Sequence, residues 1–193
     1  MEPVFVAGEK YGKTNFRKKK LEKGEYENCS FKDCNFSEVD LSEIKFIDCD
    51  FKDCNLSLAK LYNTAFRNVR FENCKILGLQ FDTCNNFGLS FSFENCQLNH
   101  STFYQTKVKK TTFKDSQLHE TDFTECDLTG SIFDNCDLKR AIFFNSIIEK
   151  VDFSSSYNYS IDPGNNRIKK AKFSLPEAIG LLDKYDIEIT KAK

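Results

Sequence analysis

The sequence predicts an all-β solenoid, in which a short unit stacks on copies of itself. A large apolar residue, usually Phe or Leu, recurs every five residues in two frames, Phe16 to Phe81 and Leu98 to Phe153. This period matches neither an α-helix nor a β-strand. A second slot, two residues earlier in each unit, mostly holds Cys, Ser, Thr or Ala. Because five residues cannot bury a core alone, the units must stack on one another.

The composition agrees with one domain that has a real core. The chain has 193 residues, a formal net charge of −1, and 20 Phe with no Trp. This charge balance argues against a strongly basic nucleic-acid binder. No apolar run is long enough to span a bilayer, and the first ten residues lack a secretory pattern, so we expect a cytoplasmic protein.

Each unit is expected to turn two residues inward and three outward. The residue between the two inward slots is often Asp or Asn, as at Asn35, Asp40 and Asp122. In the second half of the chain, Phe and aliphatic residues alternate in the large slot. The Phe residues expected in the core there are Phe103, Phe113, Phe123, Phe133, Phe143 and Phe153.

Several units resemble the motif of the pentapeptide-repeat family, which is small–Asp/Asn–Leu/Phe–x–x. The runs are CNFSE at 34–38, CDFKD at 49–53, TDFTE at 121–125, CDLTG at 126–130 and CDLKR at 136–140. The resemblance covers about residues 16–153. It implies a right-handed, quadrilateral parallel β-helix with one repeat on each side. Seven such coils, about 4.8 Å apart as in paired strands, make a rod about 33 Å long.

A coil of four repeats makes specific predictions about the core. It would stack Phe103 on Phe123 on Phe143, and place Leu98, Leu118 and Leu138 in a column of their own. From Phe81 to Leu98 is 17 residues, two more than three repeats. We therefore expect a two-residue irregularity within residues 85–93.

The ends depart from the repeat, and a solenoid needs caps there. We expect an N-terminal cap at 1–15, the β-helix at 16–157, and a C-terminal cap and possible dimerisation segment at 158–193. Ser174 and Glu177 have capping-box spacing, which predicts a helix over 174–184, and residues 185–189 alternate like a strand. The residues expected to cap the rod or pair two molecules are Leu175, Ala178, Ile179, Leu182, Ile187 and Ile189.

The polar residues do not suggest an enzyme, a metal site or a cofactor. All nine Cys occupy the small inward slot, and their spacing is not that of a zinc site. We expect buried thiols that stay reduced. His100 and His119 fall in outward slots with no nucleophile within reach in the repeat pattern. The sequence therefore predicts a protein without catalytic residues.

The charges and a closer resemblance suggest partners. Residues 25–153 carry 14 basic and 21 acidic side chains. The candidate partner-binding acidic residues are Asp33, Glu38, Glu43, Asp48 and Asp53. Three segments resemble the Qnr-type and microcin-immunity branch of the family. They are GEKYGKTNF at 8–16, YENCSFKDCNFSEVDLSEIKFIDCDF at 26–51, and IDPGNNRI at 161–168 followed by the expected helix.

That resemblance implies a homodimer that binds DNA gyrase or topoisomerase IV by imitating duplex DNA. Such binding would protect the enzyme against quinolone-like or microcin-like inhibitors, and an anionic rod does suit a basic DNA channel. The alternative is a scaffold that binds an unknown protein and has no topoisomerase role. A continuous acidic stripe would favour DNA mimicry, whereas scattered charge pairs would favour a scaffold. Neither alternative involves direct contact with nucleic acid or a membrane.

Overall fold

The structure, a computed structural model, describes residues 3–190 and is a four-sided parallel β-helix. Eleven short strands lie on two of the sides. They are β1 Val4–Ala7, β2 Lys10–Gly12, β3 Gly24–Glu27, β4 Ser30–Lys32, β5 Lys45–Ile47, β6 Asp50–Lys52, β7 Ala65–Arg67, β8 Val69–Glu72, β9 Phe91–Glu94, β10 Thr112–Lys114 and β11 Ile132–Asp134. The predicted fold class is confirmed.

The four sides follow one another along the chain, and we number them in the order of one coil. Side I is a seven-stranded sheet with the order β2-β4-β6-β8-β9-β10-β11. Sides II and III are held by single bridges, such as Asn35 with Asn55 and Asp122 with Ile142. Side IV contains a four-stranded sheet with the order β1-β3-β5-β7. All of these pairings are parallel, so each coil lies in register on the one before.

Columns of stacked side chains fill the interior. On side I the rings of Phe113 and Phe133 stack with centroids 4.6 Å apart and an angle of 7°. On side III the rings of Phe103 and Phe123 stack at 5.1 Å and 10°. The two columns meet edge to face, as between Phe113 and Phe123 at 6.0 Å and 83°. Aromatic rings favour both arrangements, so the core uses each ring twice.

The small inward slot has a second requirement besides size. In many coils its hydroxyl or thiol donates a hydrogen bond to a backbone carbonyl of the preceding coil. Thr64 Oγ1 donates to Leu41 O at 2.8 Å, Ser146 Oγ to Phe123 O at 2.8 Å, and Cys54 Sγ to Phe31 O at 3.3 Å. Ser, Thr and Cys are therefore favoured because they are small and can also satisfy a buried acceptor.

The corners between sides explain the polar outward residues. At nearly every corner, the residue two positions after the large inward residue has a positive φ, for example 53° at Asp33 and 54° at Asn73. This left-handed conformation suits Asn, Asp and Gly better than other residues. Leu58 is an unfavourable exception, with φ 58° and a side chain that is 61% exposed.

A two-residue insertion changes the core midway along the rod. The offset between paired strands rises from 20 residues, as in Phe51 with Phe71, to 22 residues, as in Phe71 with Phe93. On side IV a column of stacked rings ends at Phe66, and on side III a column of stacked rings begins at Phe81, a few residues before the insertion. The insertion therefore lies where aromatic packing moves from one side to the next.

Both ends differ from the expected boundaries of 16–157. At the N-terminus, β1 and β2 pair with β3 and β4, so residues of the expected cap form a regular coil. At the other end, Arg167 and Lys172 bridge to Ile147 and Asp152, and the ring of Phe173 stacks on Phe153 at 5.5 Å. The motif is too degenerate in these coils to be recognised, but their inward side chains still stack.

The C-terminal helix and strand also need correction. Residues 174–185 contain two short 3-10 helices, Glu177–Leu181 and Asp183–Tyr185, in place of the expected helix over 174–184. Residues 186–190 form no strand. Gly180 is pressed against Tyr159, where an added Cβ would lie 2.0 Å from a backbone oxygen, and its carbonyl accepts a hydrogen bond from Ile161 N. This contact holds the segment in tight turns. Within residues 3–190, no helix is long and apolar enough to cross a membrane.

Replacing Phe123 by Ala should lower the free energy of unfolding by about 3–5 kcal/mol, because the cavity would lie between two stacked rings. Equilibrium unfolding in guanidinium chloride measures this change. The matched control is Phe144→Ala on the same side, since Phe144 points outward and is 48% exposed. Equal losses in the two variants would contradict the inward and outward assignment.

Candidate interaction surfaces

The five acidic residues proposed as a partner surface lie at corners and do not form one patch. Asp33 and Asp53 follow side I, whereas Glu38, Glu43 and Asp48 each lie at a different corner, and all five have φ between 51° and 66°. These five acidic residues are close together in the sequence, but the fold places them at different corners around the rod. They are separated because the backbone turns at a corner after every five residues.

Most of these acidic groups already have partners in a neighbouring coil. Glu38 pairs with Arg17 at 2.9 Å, and Glu43 pairs with Lys23 at 2.6 Å. The carboxylates of Asp48 and Asp53 accept hydrogen bonds from the side-chain amides of Asn68 and Asn73. Charges along each corner are therefore partly compensated by neighbours about one coil away.

The same pairing between coils occurs on the sides of the rod. Side I has Lys52 with Glu72, Arg70 with Asp50, and Lys114 with Glu94. These pairs are exposed, and each contributes little to stability. Their effect is on the surface potential, since opposite charges alternate along the rod and do not collect into one sign.

One carboxylate near the C-terminal end has two side-chain partners. The Nζ atom of Lys172 donates to Asp152 Oδ2 at 2.8 Å, and the hydroxyl of Ser154 donates to Oδ1 of the same carboxylate. The hydrogen bond from Lys172 is the largest influence, and it lowers the pKa of Asp152 to about 2. The pair joins the last coils of the rod.

The C-terminal segment exposes an apolar surface, which we call the C-terminal patch. It consists of Leu175, Ile179, Leu182, Tyr185, Ile187 and Ile189, which are 91%, 47%, 39%, 58%, 56% and 49% exposed. Of the residues expected to cap the rod, only Ala178 is half-buried as well as apolar. The last coil is instead covered by Tyr159, Ile161 and Leu181. The residues of the C-terminal patch therefore stay exposed and do not cover the end of the rod.

The cysteines form part of the core. All nine are free and buried. Burial raises the pKa of Cys49, Cys126 and Cys136 to about 12. Such thiols are neutral at physiological pH and are poor nucleophiles and ligands. Among residues 3–190, no group of three or more His, Cys, Asp or Glu residues could hold a metal ion.

The two histidines are surface residues that pair with acids. His119 Nε2 lies 2.8 Å from Asp137 Oδ2, and His100 Nδ1 lies 3.4 Å from Glu120 Oε2. Within the described part of the chain, neither has a hydrogen bond to a Ser or Cys side chain.

Comparison with known proteins agrees with this geometry. The family description "Pentapeptide repeat region" matches residues 25–92 and 89–157. The chain belongs to the pentapeptide-repeat family. No curated protein sequence matches it.

Solved structures show the same fold in proteins with different roles. A trypsin-treated form of QnrB1, a plasmid-mediated fluoroquinolone resistance protein, has a TM-score of 0.57 and 17% identity, covering 97% of this pentapeptide-repeat protein and 100% of that chain. HetL, involved in heterocyst differentiation regulation in the cyanobacterium Nostoc sp. strain PCC 7120, has a TM-score of 0.65 and 11% identity, covering 89% and 85%. At these identities the likeness shows the fold alone.

Sequence reasoning overlooked one group of surface residues. Tyr62, Tyr104 and Phe144 occupy an outward slot, immediately after the large inward residue, and are 70%, 39% and 48% exposed. The signal was available, because the repeat assigns that slot to the surface and most units place a polar residue there. A large aromatic residue in an outward slot needs a reason other than core packing.

The nine thiols of the native protein should react slowly with Ellman's reagent at pH 8, and all nine should react rapidly after unfolding in guanidinium chloride. Burial both blocks access and disfavours the thiolate. Absorbance at the reagent's product band counts the thiols released. Rapid labelling of several thiols in the folded protein would contradict the buried arrangement.

Asp152 should contribute to a loss of stability in acid. Because its folded pKa lies below the unfolded value of about 3.9, its stabilising effect is present above about pH 4 and disappears as pH falls through 2. Thermal melts from pH 7 to pH 2 should show a smaller decline for Asp152→Asn than for the unmodified protein. Asp33→Asn, which removes an exposed carboxylate with no ion pair among residues 3–190, is the control and should follow the unmodified protein.

Proposed function

We propose that this pentapeptide-repeat protein is a non-enzymatic rod that acts by binding proteins, and that two copies pair through the C-terminal patch. The observation that carries the proposal is the exposure of six large apolar side chains in that patch. Exposed apolar surface of this kind is typical of protein interaction sites. Other residues already cover the last coil, so capping does not explain the patch.

Pairing through this segment would be two-fold, since the same patch faces itself. A two-fold pair would place the two rods on either side of the junction, with their N-terminal ends outermost. The buried free thiols suit a reducing compartment, and we therefore place the protein in the cytoplasm.

The arrangement of charge favours a scaffold over imitation of DNA. DNA mimicry requires a long surface of one sign that a basic DNA channel would attract. On this rod, acidic groups such as Glu72 and Glu94 have basic partners in a neighbouring coil. The candidate acidic residues also lie at different corners. A partner would therefore recognise the shape and particular side chains of the rod more than its net charge.

The second candidate function is binding of DNA gyrase or topoisomerase IV, with protection against quinolone-like or microcin-like inhibitors. It is supported by the resemblance of residues 8–16 and 161–168 to the Qnr-type branch. The superposition on QnrB1, whose description is of fluoroquinolone resistance, is consistent with it. Gyrase supercoiling measured with a fluoroquinolone and increasing amounts of this protein tests it directly. Restored supercoiling would favour this candidate, and unchanged inhibition would exclude gyrase protection.

Light scattering at tens of micromolar tests the pairing. The unmodified protein should be a dimer, and the double variant Ile179→Asp with Leu182→Asp should be a folded monomer, because charge is placed inside the contact. The matched control is Leu58→Asp, another exposed leucine, which lies on the rod away from the patch. It should remain a dimer. An unmodified protein that is monomeric at this concentration would contradict the pairing.

A further inference from the structure

Side III carries a row of outward residues in which aromatic side chains alternate with polar ones. The row consists of Tyr62, Asp82, Tyr104, Thr124 and Phe144. Each comes directly after the large inward residue of side III in its coil. Backbone hydrogen bonds from Gln105 N to Thr124 O and from Glu125 N to Phe144 O hold the last three members in line, whereas Asp82 lies in a short 3-10 helix, Phe81–Thr83, where Asn63 N donates to Thr83 O. Aromatic residues therefore alternate with small polar ones along one line parallel to the rod axis.

The spacing of the aromatic residues is regular. Tyr62 and Tyr104 are separated by two coils, as are Tyr104 and Phe144. Two coils span about 9.6 Å at the spacing of paired strands. Seven residues of an α-helix span about 10.5 Å. A helix laid along side III could thus place one apolar residue near each aromatic ring over two heptads, with a mismatch that side chains can absorb.

The charge on side III is acidic between the aromatic residues. Asp82, Asp122 and Glu125 have no ion pair among residues 3–190, which separates them from the paired acids elsewhere on the rod. Among the outward slots of side III from residue 60 to residue 145, Lys60 is the one basic residue. One oxygen of the Asp82 carboxylate is buried without a hydrogen-bond partner in the described structure, and burial raises its pKa.

The rod itself limits how a partner can approach. Within side III the backbone groups already bond to neighbouring coils, as Gln80 does to Thr102 and Asp122 to Ile142. A partner strand therefore finds no free edge along this side. Recognition here must use side chains, and an amphipathic helix presents a row of them at the required spacing.

We propose that side III, through Tyr62, Tyr104 and Phe144, docks a basic amphipathic α-helix of a protein partner. This inference rests on the proposed protein-binding function and names the surface and the chemistry of the ligand. The apolar face of the helix would contact the aromatic rings and Ile142, which is 49% exposed. Lys or Arg beside that face would meet Asp82, Asp122 and Glu125. Aromatic contacts enclosed by charged groups are typical of protein interfaces.

The test uses the full-length protein and a synthetic, fluorescein-labelled peptide of three heptads. The peptide has Leu at the first and fourth heptad positions, Lys at the positions beside them, and Ala or Gln elsewhere. Fluorescence anisotropy should show saturable binding to the unmodified protein. A peptide of the same composition with scrambled spacing, and one with every Lys replaced by Glu, should bind at least tenfold more weakly. Equal binding of the scrambled peptide would overturn the proposal.

Variants of the protein locate the contact. The double variant Tyr104→Ser with Phe144→Ser should weaken peptide binding at least tenfold. Ile132→Ser is the matched control, because Ile132 is 45% exposed on side I, and it should bind like the unmodified protein. Asp122→Asn with Glu125→Gln should weaken binding and reduce its dependence on salt. Unchanged binding by the Tyr104 and Phe144 variant would place the contact elsewhere and contradict the proposal.

Light scattering of the same variants separates this inference from the proposed function. The Tyr104 and Phe144 variant should remain a dimer, since side III is distinct from the C-terminal patch. A dimer that fails to bind the peptide with the predicted pattern would overturn the docking site and leave the pairing intact. If this variant instead became monomeric, side III would be a contact between copies, and the helix proposal would be wrong.

Discussion

The structure depends on the stacking of each inward side chain on its counterpart one coil away. The in-register parallel pairing of coils makes this possible, because it places chemically similar residues directly above one another. Stacked rings such as those of Phe133 and Phe153, 4.9 Å apart, then lie at the spacing of the backbone coils themselves. The backbone repeat and the aromatic repeat support each other, and neither would be stable alone. The small inward slot completes this arrangement by donating hydrogen bonds to the coil beneath.

The same constraint determines the surface. Each coil must turn four corners in a left-handed conformation, so outward positions fall on fixed lines along the rod. Residues that neighbour one another in the sequence, such as Glu38 and Glu43, end at different corners. Residues about one coil apart, such as Asp50 and Arg70, become partners. A functional surface on this fold is therefore formed by residues about one coil apart in the sequence and not by a contiguous segment.

Much of the fold could be predicted from the sequence, since the five-residue frame identifies inward slots without any knowledge of three-dimensional structure. The ends could not, because Val6, Tyr11 and Phe173 stack in the rod although the polar motif around them is lost. The C-terminal turns depend on a contact between Gly180 and Tyr159 that no local pattern indicates. The acidic surface was harder still to predict, because the prediction grouped acidic residues that are near one another in the sequence. Reading the outward slots by coil would have separated those acids and brought Tyr104 and Phe144 together.

The central claim is that one coil is the interchangeable unit of this protein. Deleting residues 104–123, one whole coil, should leave a folded rod that is shorter by about 4.8 Å. Deleting residues 104–118, three repeats, would place the aromatic columns over aliphatic ones and break the alignment of the sides. Small-angle X-ray scattering measures the length of the rod in each deletion variant, and guanidinium unfolding measures its stability. The account predicts a cooperative, shortened rod for the first deletion and a severe loss of stability for the second. Equal tolerance of both deletions would contradict it.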